Sequence, residues 1–265
     1  MQAFNLNIGQ CIYCDDSRPP LTREHILPRG LGGSENPVGH GGALVLQRAS
    51  CEKCQKVTQS IEGECLRNMM EYARSRLGLK RKDRRSETVK ARVDLLDGTS
   101  EEREVSADEI LGPVVLPAFY EAGALSGKPF TTPMSCASDQ KVIVVRPASP
   151  QLLRDTPRIG VELRSTPKTF GRMLAKIAHG ITVAHYGLNG FIPTARNFIL
   201  SNPEECGYWV GGFAGTGKAY PPSESLHRML LRRSNLKPED LIVVEIQLFA
   251  SYGGPNNYVV VGRAK

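Results

Sequence analysis

Apolar residues recur every fourth position at Val57, Ile61, Cys65, Met69 and Ala73, with Leu66, Met70 and Leu77 beside them. This spacing keeps one face of a 3.6-residue turn apolar, so it predicts an amphipathic helix from just after Cys54 to near Gly78. Gly63 within it costs about 1 kcal/mol relative to Ala, which a long packed face tolerates. Ahead of the helix, Leu21 to Ile26 and Ala43 to Leu46 read as strands, separated by Pro28, Gly30, Gly32, Gly33, Asn36-Pro37, Gly39, Gly41 and Gly42. Beyond it, Thr88 to Leu96 and Glu101 to Val105 flank Asp97-Gly98 and predict a hairpin, and the Pro- and Gly-bearing stretch from Gly112 to Pro133 reads as a linker. From Lys141 a further unit begins. It has a strand at Val142 to Val145 and a helix with Phe170, Leu174, Ile177 and Ile181 on one face. Alternating Leu241 to Leu248 then pairs with Tyr258 to Val261 across Gly253-Gly254-Pro255. The expectation is an α+β fold with a mainly antiparallel C-terminal sheet, divided as 1–85, 86–135 and 136–265.

Two C-x-x-C pairs, Cys11/Cys14 and Cys51/Cys54, change this picture. Each such turn converges two thiolates on one ion, and two turns supply the four soft ligands of a closed tetrahedral zinc site. The loop they close, positions 15 to 50, is too long for a compact zinc ribbon and carries the run Arg23-Glu24-His25-Ile26-Leu27-Pro28 followed by Gly32-Gly33. An imidazole there has the intrinsic pKa range of a general base. Cys65, Cys136 and Cys206 read as small buried apolar residues.

The order C-x-x-C, E-H-I-x-P with a following G-G, then C-x-x-C resembles the HNH endonucleases of the ββα-metal (His-Me finger) class, over about the first third of the chain. The resemblance implies a zinc-stabilised ββα module in which His25 activates water. Glu24 helps hold a catalytic Mg2+ or Mn2+, and Cys11, Cys14, Cys51 and Cys54 hold structural Zn2+. Adjacent strand residues point to opposite faces, so Glu24 and His25 share one ion only where the strand ends or is distorted. The chain also departs from the family pattern. Gly42-Ala43 stands where an Asn is common, and Gln55 where an Asn or His follows the second Cys pair. Gln55, Glu62 and, from the loop, His40 are the candidate replacement ligands, and Gln55, Thr58 and Glu62 share a helix face.

A formal charge of +7 and a pI near 9.1 favour a polyanionic partner. Positions 1–85 hold 14 Lys/Arg against 9 Asp/Glu, a net of +5, so the excess lies mostly with the cysteine clamp. Lys80, Arg81, Lys82, Arg84 and Arg85, joined by Arg74 and Arg76, form a candidate nucleic-acid patch; the competing reading is a solvated turn whose cations suit a helix C-terminus. The first residues lack a signal-peptide pattern and no apolar run spans a bilayer, so a cytoplasmic location is expected. Gly212 to Ala219 nearly spells a P-loop, but Ala219 lacks the magnesium-binding hydroxyl and Pro221-Pro222 forbid the following helix, which excludes nucleotide hydrolysis of that kind. Arg172, Lys176, His179 and His185 read as packing or surface residues, or as the lining of a ligand or DNA surface. Tyr208, Trp209 and Phe213 read as core or as base-stacking rings.

The expected function is metal-dependent phosphodiester hydrolysis in DNA, with RNA as the other candidate substrate and no membrane partner. The alternative is a non-catalytic, zinc-dependent nucleic-acid-binding protein on the same scaffold. A third reading, a protein-interaction module, predicts no salt-dependent DNA affinity.

Overall fold

Three strands open the chain: β1 (Asn5–Asn7), β2 (Leu21–His25) and β3 (Val45–Cys51), in spatial order β1-β3-β2. Strand β2 is antiparallel to β3, and β1 is parallel to it. Cys51 ends β3 and in extended backbone caps helix α1 (Glu52–Asn68). The computed structural model describes residues 5–32, 44–79, 88–106, 109–131, 133, 140–145, 147, 149–155, 158–160, 163–201, 206–214, 216, 223–234 and 240–265.

The expected helix to Gly78 is two helices. It breaks at Met69-Met70, where Met70 has φ −130° and ψ 3°, and resumes as α2 (Glu71–Arg76). Tertiary pairing overrides the local periodicity here: the carbonyls of Asn68 and Met69 accept the backbone N–H groups of Arg164 and Val115. The periodic positions Ile61, Cys65, Met69 and Ala73 are nonetheless all buried, as the pattern required, and Gly78 closes the last turn at φ +64°.

Strands β4 (Thr88–Asp94) and β5 (Ser100–Ser106) form the expected hairpin, with Gly98 at φ +84° and the Asp97 carboxylate accepting the Thr99 N–H at 2.9 Å and its hydroxyl at 2.6 Å. The stretch read as a linker instead contains β6 (Pro113–Leu116) and α3 (Gly123–Ser126), and β6 pairs with β7 (Lys141–Val144). After α4 (Pro150–Asp155), β8 (Arg158–Gly160) joins β4. Then come α5 (Pro167–Tyr186), β9 (Phe191–Pro193), α6 (Arg196–Ser201), α7 (Cys206–Trp209), β10 (Val210–Gly212), β11 (Arg228–Ser234), β12 (Leu241–Gln247) and β13 (Asn256–Ala264). The last strands form an antiparallel sheet of order β10-β13-β12-β11, with β9 on β13. The architecture is α+β with mainly antiparallel sheets.

Helix α5 positions everything that follows. It packs against α1 and against β12 and β13. From Phe170 to Ala184 every residue except Arg172 is buried, so the helix is enclosed all round rather than on the one face expected. Gly180 permits its close approach to the first strands, because a Cβ there would meet Ile26 Cγ1 at 3.0 Å. One continuous apolar core therefore contains Cys11, Ile26, Leu46 and Ile61 together with Leu174, Ile177, Val244 and Val259. The hairpin has a smaller core of its own, Ala91, Val93, Val105 and Ile110. Among the described residues no helix is long and apolar enough to cross a membrane.

Candidate functional site

The thiol cluster forms because two turns meet at one end of β3. Cys11 and Cys14 flank a turn closed by Asp15 N–H to Cys11 O at 2.9 Å and tied to β3 by Ile12 N–H to Ala49 O at 2.8 Å. Cys51 ends β3 and Cys54 lies in the first turn of α1. All four Sγ atoms fall within 4.8 Å of one another, and Cys14 and Cys51 are 3.8 Å apart. A tetrahedron with Zn–S bonds near 2.3 Å has an S···S edge of about 3.8 Å, so the donor set and its spacing fit zinc. Burial pushes the Cys11 and Cys54 thiols up. Burial pushes Cys51 the same way, but the Cys54 N–H and neighbouring thiols donate to its sulfur and bring it below its ordinary value. An incoming ion must displace protons from the buried thiols, which makes its affinity pH-dependent. All described cysteines are free of disulfides.

His25 is the last residue of β2 and pairs with Val45. The strand is distorted just before it: the register shifts between Thr22 and Glu24, opposite Arg48 at φ +48°. The Glu24 side chain goes inward, 5% exposed, and meets the ammonium of Lys176 from α5 at 2.8 Å. Glu62 of α1 meets the same ammonium at 2.7 Å. Lys176 Nζ also donates to the carbonyl oxygens of His25 and, at 3.2 Å, of Ile26. Four oxygens thus surround one buried positive charge. Burial alone would lower the Lys176 pKa, but the two carboxylates hold it above the ordinary lysine value. Burial raises the Glu62 pKa, partly countered by Lys176. The Tyr13 hydroxyl lies beside Glu24, and burial followed by the charges of Glu24 and Glu62 keeps it protonated.

The segment after His25 is gripped along its length. Gly30 O accepts Arg74 Nε at 2.7 Å, and Leu31 O accepts His227 Nε2–H at 3.1 Å, the tautomer following from Phe249 N–H donating to His227 Nδ1 at 3.1 Å. His179 Nε2 bonds Ile12 O at 2.7 Å, tying α5 to the turn between Cys11 and Cys14. Burial lowers the pKa of both His179 and His227 to about 4. Arg196 of α6 completes the attachment through an ion pair with Asp15.

The residues expected in the site therefore separate. The four cysteines come together. Glu24 and Glu62 also come together, but on Lys176. Gln55 is half-buried in the first helical turn, where its carbonyl accepts the Thr58 hydroxyl at 3.2 Å, and among the described residues no hydrogen bond joins its side chain to Glu24, Glu62 or His25. Arg74 leaves the proposed phosphate patch: it is 8% exposed, and its guanidinium braces the carbonyls of Gly30 and Leu66. Arg76 donates to Pro147 O at 3.2 Å. Lys80, Arg81, Lys82, Arg84, Arg85, His40, Gly42, Ala43, Cys136, Lys218 and Ala219 lie outside the described residues. Tyr208 and Trp209 form a ring cluster with exposed Phe130, and Phe213 packs on Tyr258. Lys176, His179 and His227 are the residues whose part in this site the sequence did not disclose. A lysine inside an otherwise apolar helical stretch was the one available signal, because a lysine is almost never fully buried without a partner. No protein-family profile, curated protein or solved structure matches the chain.

Proposed function

We propose that this chain is a zinc-clamped nuclease of the HNH type, acting on phosphodiester bonds in DNA or RNA in the reducing cytoplasm. What carries the reading is the placement of His25: it ends the first strand of a strand–strand–helix unit whose helix opens on the second cysteine pair, with the cluster suited to zinc at the Cys51 end of β3 and His25 at the Val45 end. Its own carbonyl is held from behind by Lys176. In this role the imidazole takes a proton from a water molecule as that water attacks phosphorus. The backbone anchors at residues 25, 26, 30 and 31 keep the ring from drifting out of line, which is the contribution that fixed geometry makes to such a reaction.

A catalytic Mg2+ or Mn2+ does not fit the ligands that the resemblance names. Both carboxylates face an ammonium that already supplies the positive charge, and no step is assigned to a divalent ion there. That same observation favours the second reading, a zinc-stabilised nucleic-acid-binding protein without hydrolytic activity. Cleavage of plasmid and single-stranded DNA and of RNA, with Mg2+, Mn2+ or EDTA and beside His25→Ala at matched zinc content, separates the two. The nuclease reading expects cutting that falls at least 100-fold in His25→Ala. Equal binding with no cutting by either protein would make the chain a binding module.

A further inference from the structure

At the far end of α1 from the thiol cluster, the break at Met69-Met70 leaves a cavity of about 380 Å³ between the end of α1, the start of α2, the start of β4 and Arg164. Three cations line it, Arg67, Lys90 and Arg164, against one carboxylate, Glu71. Arg67 and Lys90 are exposed, and among the described residues neither has an ion-pair partner. Asn68 and Thr88 add amide and hydroxyl groups to the wall. The backbone fixes the frame: Arg164 N–H donates to Asn68 O at 3.1 Å, which binds the loop before α5 to the helix end.

The geometry points to a phosphate-binding pocket that takes a backbone phosphate of a nucleic-acid strand. Two arginines and a lysine lining one cavity together with amide and hydroxyl groups suit a phosphodiester, whose oxygens accept a planar fork in bidentate fashion. A cavity of this size holds a phosphate with part of its sugar. Its cations are exposed, which suits a chain passing over the surface better than an enclosed free anion. The sequence leading into Thr88 is itself basic, with Lys80, Arg81, Lys82, Arg84 and Arg85 in the preceding eight positions. The pocket extends the proposed nucleic-acid function, on which it rests, to residues outside the His25 segment and outside the expected basic patch.

The test is binding of a fluorescein-labelled 20-mer, single-stranded and duplex, across a NaCl series, for the zinc-loaded wild type, Arg67→Gln/Lys90→Gln and Lys90→Glu. Each phosphate contact contributes about 0.9 to the log–log salt slope on duplex and about 0.7 on single strands. The double variant should lose roughly 1.8 from that slope on duplex and roughly 1.4 on single strands, and bind about 10- to 100-fold more weakly at 0.1 M salt. Lys90→Glu, at an exposed strand position, should weaken binding at unchanged zinc content and circular dichroism. Wild-type binding with slopes and affinities unaltered in both variants overturns the pocket and leaves the nuclease proposal standing. Titration with inorganic phosphate distinguishes the source. Phosphate binding that depends on Arg67 and Lys90, in a protein that binds no oligonucleotide, overturns the nucleic-acid assignment; no binding of either ligand overturns both proposals.

Discussion

The thiol cluster and the Lys176 cage are both places where the first strands and α1 gather four ligands toward one cation, and they differ in where that cation comes from. The cluster's donors are Cys11, Cys14, Cys51 and Cys54, gathered at one end of β3, and the cation they suit is an exchangeable ion. The cage's acceptors are Glu24, His25 O, Ile26 O and Glu62, and their cation is covalently part of helix α5. An exchangeable ion makes folding conditional on metal, whereas a built-in ammonium makes the first strands conditional on the C-terminal half. The cage bridges the same two halves whose residues share one apolar core.

Removing zinc should have the largest effect, because structural zinc contributes on the order of 10 kcal/mol in small modules. Cys51→Ser, or chelation of the wild type, should release the ion and unfold the strands around it. The shared core adds a sharper expectation: thermal unfolding followed by circular dichroism should show the C-terminal sheet losing stability as well. An undiminished zinc content in Cys51→Ser would remove the four-thiol assignment, and an unshifted second transition would mean that the two halves stand independently.

Lys176→Met comes next. It leaves two carboxylates facing each other in the interior, and breaking a buried pair from one side costs roughly 3–5 kcal/mol. Adding Glu24→Gln and Glu62→Gln to Lys176→Met should restore most of that loss, since a neutral cage carries no uncompensated charge. Denaturant unfolding of the single and triple variants reads the difference. Equal destabilisation in both would mean that Lys176 matters for its volume and not for its charge, and the likeness to the thiol cluster would fail.

The same contrast explains what was legible in the sequence. Ligand spacing within a few residues is written in the chain, so the cysteine clamp, β2, the Asp97-Gly98 hairpin and the pairing of β12 with β13 could all be read, whereas β3 runs on to Cys51, past the expected end at Leu46. The Glu24–Lys176 contact joins positions 152 apart, and no local pattern encodes it. Alternation separates Glu24 from His25, yet it could not say that a lysine would meet Glu24. The helix break at Met69-Met70 was hidden for a related reason: its apolar period continues unbroken, and only pairing with Arg164 and Val115 interrupts it. Arg74 looked like one more cation in a basic run because its acceptor, Gly30 O, is 44 residues away.

The smallest effect tests whether the carbonyl clamps on the His25–Leu31 segment all act through charge. Lys176 grips as a cation with a raised pKa, so its contribution is present at neutral pH and is lost only as pH rises through the alkaline range. His227 grips as a neutral ring. Its folded pKa lies near 4 against about 6.5 unfolded, so below pH 6.5 the unfolded chain binds the extra proton and stability falls as pH drops toward 4. The full span amounts to at most about 3 kcal/mol for this half-buried group. Glu62, with its raised pKa, slopes the opposite way over part of that range, so the informative quantity is a difference between proteins. Gln at position 227 can keep a donor toward Leu31 O and an acceptor toward Phe249 N–H without titrating. His227→Gln should therefore match the wild type near pH 8 and exceed it increasingly between pH 6.5 and 4 in urea unfolding. Parallel pH profiles for the two proteins would mean that His227 is charged when folded, and both clamps would then be electrostatic.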